Sequence, residues 1–208
     1  INEISRLFSS IAPRFRNGKI AGGRTALQKL YNMAAIQPLT DTIALLEKVE
    51  NQPDVTETND NVPVYLFGNV LPDPEAFSLI ESCGAQIADD DFCTGSRMFP
   101  NIEITDGADI VYNLSKAMLS KPPCARTFDA KNPLNIAETI LNHSRAVNAR
   151  GVIGHTVKFC DPYLERLPVI RDTFKNAGMP LLMLEGDCSL RSIDQQKTRI
   201  EAFIEMLK

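Results

Sequence analysis

An α/β fold is predicted: a small doubly wound parallel sheet of about four strands, order 2-1-3-4, with helices on both faces and a helical segment in front. Three observations predict it. Beyond residue 61, short runs rich in Val, Ile, Leu and Phe alternate with stretches of helical spacing. Two of those stretches open on Asp-Pro, at Asp73-Pro74 and Asp161-Pro162, which supplies a capping side chain and then Pro in the first turn. Two of them stop at glycine, Gly84 and Gly178. Right-handed crossovers between parallel strands make 2-1-3-4 the simplest order for four.

Residues 1–60 read as helical. Ile4, Leu7, Phe8 and Ile11 recur at helical spacing; a loop is expected from Pro13 to Gly23, then a helix over 26–35. Thr40 or Asp41 can cap a third helix that carries Ile43, Leu46 and Val49 on one face. The polar, Pro-containing stretch 51–61 has no period and marks the boundary with a second unit, 61–208, of Rossmann-like or flavodoxin-like type. In that unit strands are expected at 62–67, 85–88 (running into Asp89-Asp90-Asp91), 152–159 and 180–184. Helices are expected from Asp73-Pro74 to Cys83, at 108–119, 135–149, from Asp161-Pro162 to Ala177, and from about Ser192 to Leu207. Its two halves share one layout: strand, loop, Asp-Pro, helix, Gly, strand, acidic loop, Cys.

Composition bounds the function. The chain has 208 residues with 22 basic and 26 acidic side chains, net −4, and a pI near 5.3, which argues against a nucleic-acid surface built on clustered positive charge. No apolar run approaches bilayer length, and INEISRLFSS has neither the basic nor the apolar part of a secretory signal. A soluble cytoplasmic protein is expected, and the missing initiator Met suggests a piece of a longer chain. The five cysteines are odd in number, widely spaced and free of any C-x-x-C pair, so neither a disulfide framework nor a zinc ribbon is indicated.

Doubly wound sheets bind ligands beyond the carboxyl ends of their strands, where the order reverses. That point is flanked here by Gly68-Asn69-Val70 and Phe159-Cys160-Asp161. Cys93 and Cys188 follow the other two strands, Cys124 sits on a loop able to reach the edge, and Cys83 falls in a helix as packing. A sulfur at Cys160 stands just before a helix N-terminus and beside Lys158, both of which favour a thiolate. Cys–His hydrolysis is a poor fit, since His143 lies within a helix and His155 within a strand; metal or cluster ligation fits better. Asp90 to Arg97 combines hydroxyls, Gly95 and Arg97 after a strand, a composition suited to an anionic or carbonyl ligand or to a solvated loop. Glu185-Gly186-Asp187 could orient a substrate, hold a cation or cap the last helix. There is no Walker motif or GxGxxG, and Gly22-Gly23-Arg24 follows no strand.

The segments FGNVLPD (67–73), DDDFCTGSR (89–97), KPPCAR (121–126), VKFCDPY (157–163), EGD (185–187) and TRIEAFIEML (198–207) together resemble the 2-hydroxyacyl-CoA dehydratase family. That family includes the 2-hydroxyglutaryl-CoA dehydratase D-component and subunits of ATP-dependent benzoyl-CoA reductase. The resemblance implies a pair of related subunits, each with a [4Fe-4S] cluster, and an ATP-hydrolysing iron–sulfur activator that injects one electron. The electron turns the thioester of an acyl-CoA into a ketyl radical, from which hydroxide leaves the α-carbon. It further implies that Cys160 is a cluster ligand, with Cys93 and Cys124 at matching positions, and that the remaining ligands lie in an N-terminal domain without counterpart here, so that this chain alone is inactive. Asn69, Ser96 and Arg97 are the candidates for lining the substrate crevice. Ring reduction, or a non-catalytic assembly module or redox carrier, are the alternatives.

Overall fold

A computed structural model of the chain describes residues 1–55, 60–105, 107, 109–187 and 193–208. Three helices come first, α1 (Asn2–Arg16), α2 (Gly23–Ile36) and α3 (Leu39–Glu50). There follow β1 (Val62–Gly68), α4 (Pro74–Ser82), β2 (Ala85–Asp91), α5 (Ile110–Leu119), α6 (Asn135–Ala146), β3 (Gly151–Val157), α7 (Asp161–Asn176), β4 (Leu181–Gly186) and α8 (Ile193–Leu207). The four strands are parallel in the order β2-β1-β3-β4, as expected.

Strand periodicity sorts the core into two layers. On β1, Val62, Val64 and Leu66 pack against Phe77 and Ile80 of α4 and Ile200, Phe203 and Ile204 of α8. Tyr65 and Phe67 point the other way, toward Ile136 and Ile140 of α6 and Tyr163, Ile170 and Phe174 of α7. Helices therefore cover both faces. A third cluster is made by α1, α2 and α3, through Ile4, Leu7, Ile11, Leu27 and Leu46 among others. Among the described residues no helix is long and apolar enough to cross a membrane.

Boundaries differ from the sequence reading at several elements. Helix α2 opens at Gly23, strand β4 runs on to Gly186, and α3 starts at Leu39 with Pro38 at its N-cap, so neither Thr40 nor Asp41 caps it. Helix α1 runs through Pro13 to Arg16, because Ile11 and Phe15 extend its buried stripe and outweigh the amide that Pro13 lacks. Helix α6 stops three residues early, at Ala146. Asn148 takes the left-handed position at φ 54°, its amide bonds to the Arg145 carbonyl, and the Ala149 amide bonds to the Ser144 carbonyl, a closure usually supplied by glycine. Strand β3 ends at Val157, since the chain turns there with Cys160 N–H donating to Val157 O. Strand β2 ends in the acidic run, at Asp91, as expected, with an irregularity in register opposite Val64 and Tyr65. The start of the last helix at Ser192 and the position of Cys188 lie outside the described residues.

Arginines explain how a strand can end in three carboxylates. Arg16 of α1 meets Asp89 at 2.9 Å, Arg24 of α2 meets Asp90 at 2.6 Å, and Arg97 meets Asp91 at 2.9 Å. The middle pair is almost wholly enclosed, with side chains 1% and 2% exposed. Asp90 Oδ2 accepts both Nε and Nη2 of Arg24, and its Oδ1 accepts the amides of Phe92 and Ser96. The Arg24 guanidinium also lies 4.8 Å from the Phe77 ring centre and 5.3 Å from that of Tyr31. Gly95 is required beside it: a Cβ there would stand 2.3 Å from Asp90 Oδ1 and 2.7 Å from Arg24 Nη2.

Two measurements test this core. Asp90→Ala strands the Arg24 charge in the interior and is expected to lower stability in urea by about 3–5 kcal/mol; an Arg24→Met/Asp90→Leu double variant should recover much of that loss. His155 of β3 is 2% exposed, and burial pushes its imidazole down to about 4 against the opposing pull of Asp187. A depressed histidine contributes stability that is complete above its unfolded value near 6.5 and lost as pH falls toward 4. The stability difference between wild type and His155→Phe should therefore fall by up to about 3 kcal/mol over that window.

Candidate functional site

The strand order reverses between β1 and β3, and the loops leaving their carboxyl ends bound a cleft of about 390 Å³. Cys93, Cys124 and Cys160 all line it, together with Asn69, Arg97 and Tyr163. All three cysteines are free; Cys93 is exposed, and Cys124 and Cys160 are half-buried. The thiols thus arrive from three separate loops, which follow β2, precede α6 and follow β3.

Short backbone interactions hold each of these residues. Cys160 is the N-cap of α7. Its carbonyl takes the amides of Tyr163 and Leu164, the Asp161 amide bonds to Phe159 O, and Pro162 has no amide hydrogen, so the first turn is satisfied internally. Phe159, just before it, adopts φ 62° and is 88% exposed, an uncommon conformation for a bulky residue. The Asn69 carbonyl accepts the Cys93 amide at 3.0 Å, and its side-chain oxygen accepts the Val157 amide at 3.2 Å. Asn69 therefore ties the ends of β1 and β3 to the cysteine loop.

Arg97 does the same for Cys124. Its Nε pairs with Asp91, while Nη2 donates to the carbonyls of Pro122 at 2.6 Å and Pro123 at 2.7 Å, directly before the cysteine. The Cys124 amide is closed by the Thr127 hydroxyl at 2.8 Å. Burial pushes the Asp91 carboxyl up to about 7, Arg97 pulling it down and Asp90 and Asp89 adding to the rise. Burial also raises the Tyr163 phenol well above its ordinary value, so it stays protonated beside the thiols. Lys158 and Arg126 bring positive charge to the same cleft.

Other sequence candidates fall elsewhere. Ser96 lines a neighbouring cavity of about 230 Å³, and its hydroxyl donates to Asp90 O at 2.6 Å, which serves the strand end. His143, exposed on α6, lies against that cavity, with Nδ1 3.5 Å from the Tyr65 hydroxyl. His155 is buried in β3, away from the cysteines' cleft lining. Cys83 packs against the α4–α8 core, where burial pushes its thiol up. Beside Gly22-Gly23-Arg24, the Glu81 carboxylate takes the amides of Arg24 and Thr25 and the Thr25 hydroxyl, filling the position where a helix start would hold an anion. A cavity of about 590 Å³ borders that junction. Glu185 offers its carbonyl to Gln196 of α8.

As a donor set the cleft is soft and free: three thiols with no disulfide among them. Among the described residues no group of three His, Cys, Asp or Glu side chains converges closely enough to hold a single metal ion. Thiolates are the ligand type of iron–sulfur clusters, and Cys93, Cys124 and Cys160 are the thiols of this lining. Sequence reasoning missed Tyr163 and Arg126 as lining; Tyr163 was legible only as the last residue of VKFCDPY, one turn past Cys160.

Residues 6–207 match the family model described as 2-hydroxyglutaryl-CoA dehydratase, D-component. The beta subunit of lactoyl-CoA dehydratase from Anaerotignum propionicum is 29% identical over 149 residues, covering 71% of this chain and 39% of that protein. The (R)-phenyllactyl-CoA dehydratase beta subunit of Clostridium sporogenes is 24% identical over 144 residues, 69% of this chain and 37% of that protein. The C subunit of benzoyl-CoA reductase from Thauera aromatica is 31% identical over 149 residues, 70% of this chain and 37% of that protein. The match thus spans less than two-fifths of the length of these curated relatives.

Arg97→Ala removes the clamp on the Pro122 and Pro123 carbonyls. Hydrogen exchange over 120–127 should rise several-fold, and iodoacetamide should alkylate Cys124 faster while leaving the rate at Cys83 unchanged. Equal labelling of Cys124 in both proteins would show that the clamp does not hold it.

Proposed function

The chain belongs to the 2-hydroxyglutaryl-CoA dehydratase D-component family, and on that premise we propose that it is the carboxyl-terminal part of an iron–sulfur subunit that removes water from a 2-hydroxyacyl-CoA. The observation that carries the reading is the arrival of Cys93, Cys124 and Cys160 at one cleft, at the reversal point of the sheet. In this reading the partners are a related second subunit and an ATP-hydrolysing iron–sulfur activator. The naming of the relatives as beta and C subunits supports a multi-subunit setting.

A bound [4Fe-4S] cluster would supply a low-potential electron and an open, Lewis-acidic iron for the thioester or hydroxyl oxygen. The β-hydrogen of an unreduced thioester is only weakly acidic, so loss of the α-hydroxyl as hydroxide would need one electron lent to the carbonyl and returned once the β-proton has also left. The residues of this chain have defined work in that scheme. Cys160 offers its sulfur from the rigid start of α7, and Cys93 and Cys124 offer theirs from loops pinned by Asn69 and Arg97. Tyr163, packed on Phe67 with ring centres 6.4 Å apart, closes the floor of the cleft against water. Lys158 and Arg126 are placed to attract the anionic groups of a coenzyme A ester. Asn69 and Arg97 line the cleft and hold its walls.

A second reading, ring reduction of an aromatic acyl-CoA, is favoured by one fact: the benzoyl-CoA reductase relative has the highest identity of the three. Both readings share the cleft and the cysteines.

Iron and acid-labile sulfide in the full-length gene product, purified anaerobically, test the common part. Cys160→Ala is expected to lose most of both, with Cys93→Ala and Cys124→Ala measured beside it. Unchanged content in Cys160→Ala would remove the central assignment. With cluster intact, formation of an enoyl-CoA from a 2-hydroxyacyl-CoA separates dehydration from ring reduction.

A further inference from the structure

Helix α5 is amphipathic with its faces reversed. The one side chain it buries is Asn113, whose Oδ1 accepts the Thr105 amide at 3.0 Å. Ile110, Val111, Leu114 and Met118, which share an arc of about 100° on a helix of 3.6 residues per turn, face solvent. Ile110 is 82% and Leu119 87% exposed, and Tyr112 and the preceding Ile104 are exposed as well. Asp109 caps the helix through the Tyr112 amide, so the element is formed without a core to fold against. The charged pair at its side, Lys116 with Glu103 at 3.4 Å, is engaged internally and leaves the apolar stripe uncharged. Together these side chains open on the order of several hundred Å², which approaches the roughly 800 Å² one partner contributes to a standard interface.

We propose that α5 is the surface on which the second, family-related subunit docks, through an uncharged apolar face of its own. The inference rests on the subunit reading above. The relatives are lettered subunits, beta and C, so an unlike chain is the occupant their naming favours over a second copy. Position gives the contact a consequence. Helix α5 lies in the stretch between Arg97 and the Pro122-Pro123 carbonyls that Arg97 clamps, so a partner seated on it also fixes the wall of the cleft that carries Cys124.

The test uses the full-length gene product co-expressed with the second dehydratase subunit from the same genome, and compares wild type with Leu114→Asp/Met118→Asp. Both substituted side chains are exposed on these 208 residues, so the urea midpoint of the variant should equal that of wild type; a lowered midpoint would show α5 covered by the rest of its own subunit and overturn the assignment. The wild-type pair should run as a 1:1 heterodimer by size exclusion with light scattering, and exchange over 110–119 should slow at least tenfold on assembly. The variant should bind at least a hundredfold more weakly. A variant that pairs as well as wild type, or a wild-type pair with unchanged exchange at 110–119, overturns the assignment while leaving the subunit reading intact. A wild-type chain that binds no second subunit defeats the subunit reading and the assignment with it. Self-association, or sedimentation with phosphatidylglycerol vesicles, that the same substitutions abolish would name another occupant and overturn it too.

Discussion

Three consecutive carboxylates at the end of an edge strand are the constraint around which this molecule is arranged. Left alone they would repel one another and refuse burial. Each instead receives an arginine from a different part of the chain: Arg16 from α1, Arg24 from α2 and Arg97 from the loop that follows. Asp90 is the centre of the set, because both of its oxygens are filled and its partner is enclosed between two aromatic rings. A buried ion pair is a poor source of net stability, yet removing one member is costly. Such a pair gives α2 one place to sit against the strand and gives the loop at 92–97 one shape.

That shape sets the cleft. The Phe92 and Ser96 amides are held by Asp90, which presents Cys93 on one side and directs Arg97 toward Asp91 on the other. Arg97 then reaches the Pro122 and Pro123 carbonyls and fixes the segment ending at Cys124. The chain of contacts runs from an enclosed ion pair to a thiol without leaving one neighbourhood. Burial raises the carboxyl of Asp91 to about 7 and that of Asp89 to about 6, with Arg97 and Arg16 pulling each back down. The Asn69 contacts act in parallel from the strand side, and Cys160 needs neither, since its place is set by the first turn of α7.

Helix α5 follows the same packing logic in the opposite direction. Everything that packs within the chain obeys its period: β1 divides its residues between two cores, and α1 keeps its stripe even through a proline. Helix α5 obeys its period too, but toward the outside. Its one buried side chain is Asn113 and its apolar residues meet solvent, the pattern of a face that a partner covers.

Alternation of apolar runs with Asp-Pro and glycine punctuation was enough, by itself, to determine the parallel sheet, its 2-1-3-4 order and the reversal point, because crossover handedness leaves few other arrangements. The same reasoning put Asn69, Cys93 and Cys160 at strand ends, and motif resemblance named the family. What only the tertiary structure decided was pairing at a distance. That the acidic end of β2 would be paired by Arg16, Arg24 and Arg97 arriving from elsewhere was not legible; that Ser96 would turn to Asp90, and Cys124 join the cleft, depended on the same contacts. Local periodicity carries information about which face a residue shows, whereas a charge is read correctly only when its partner, often tens of residues away, is known.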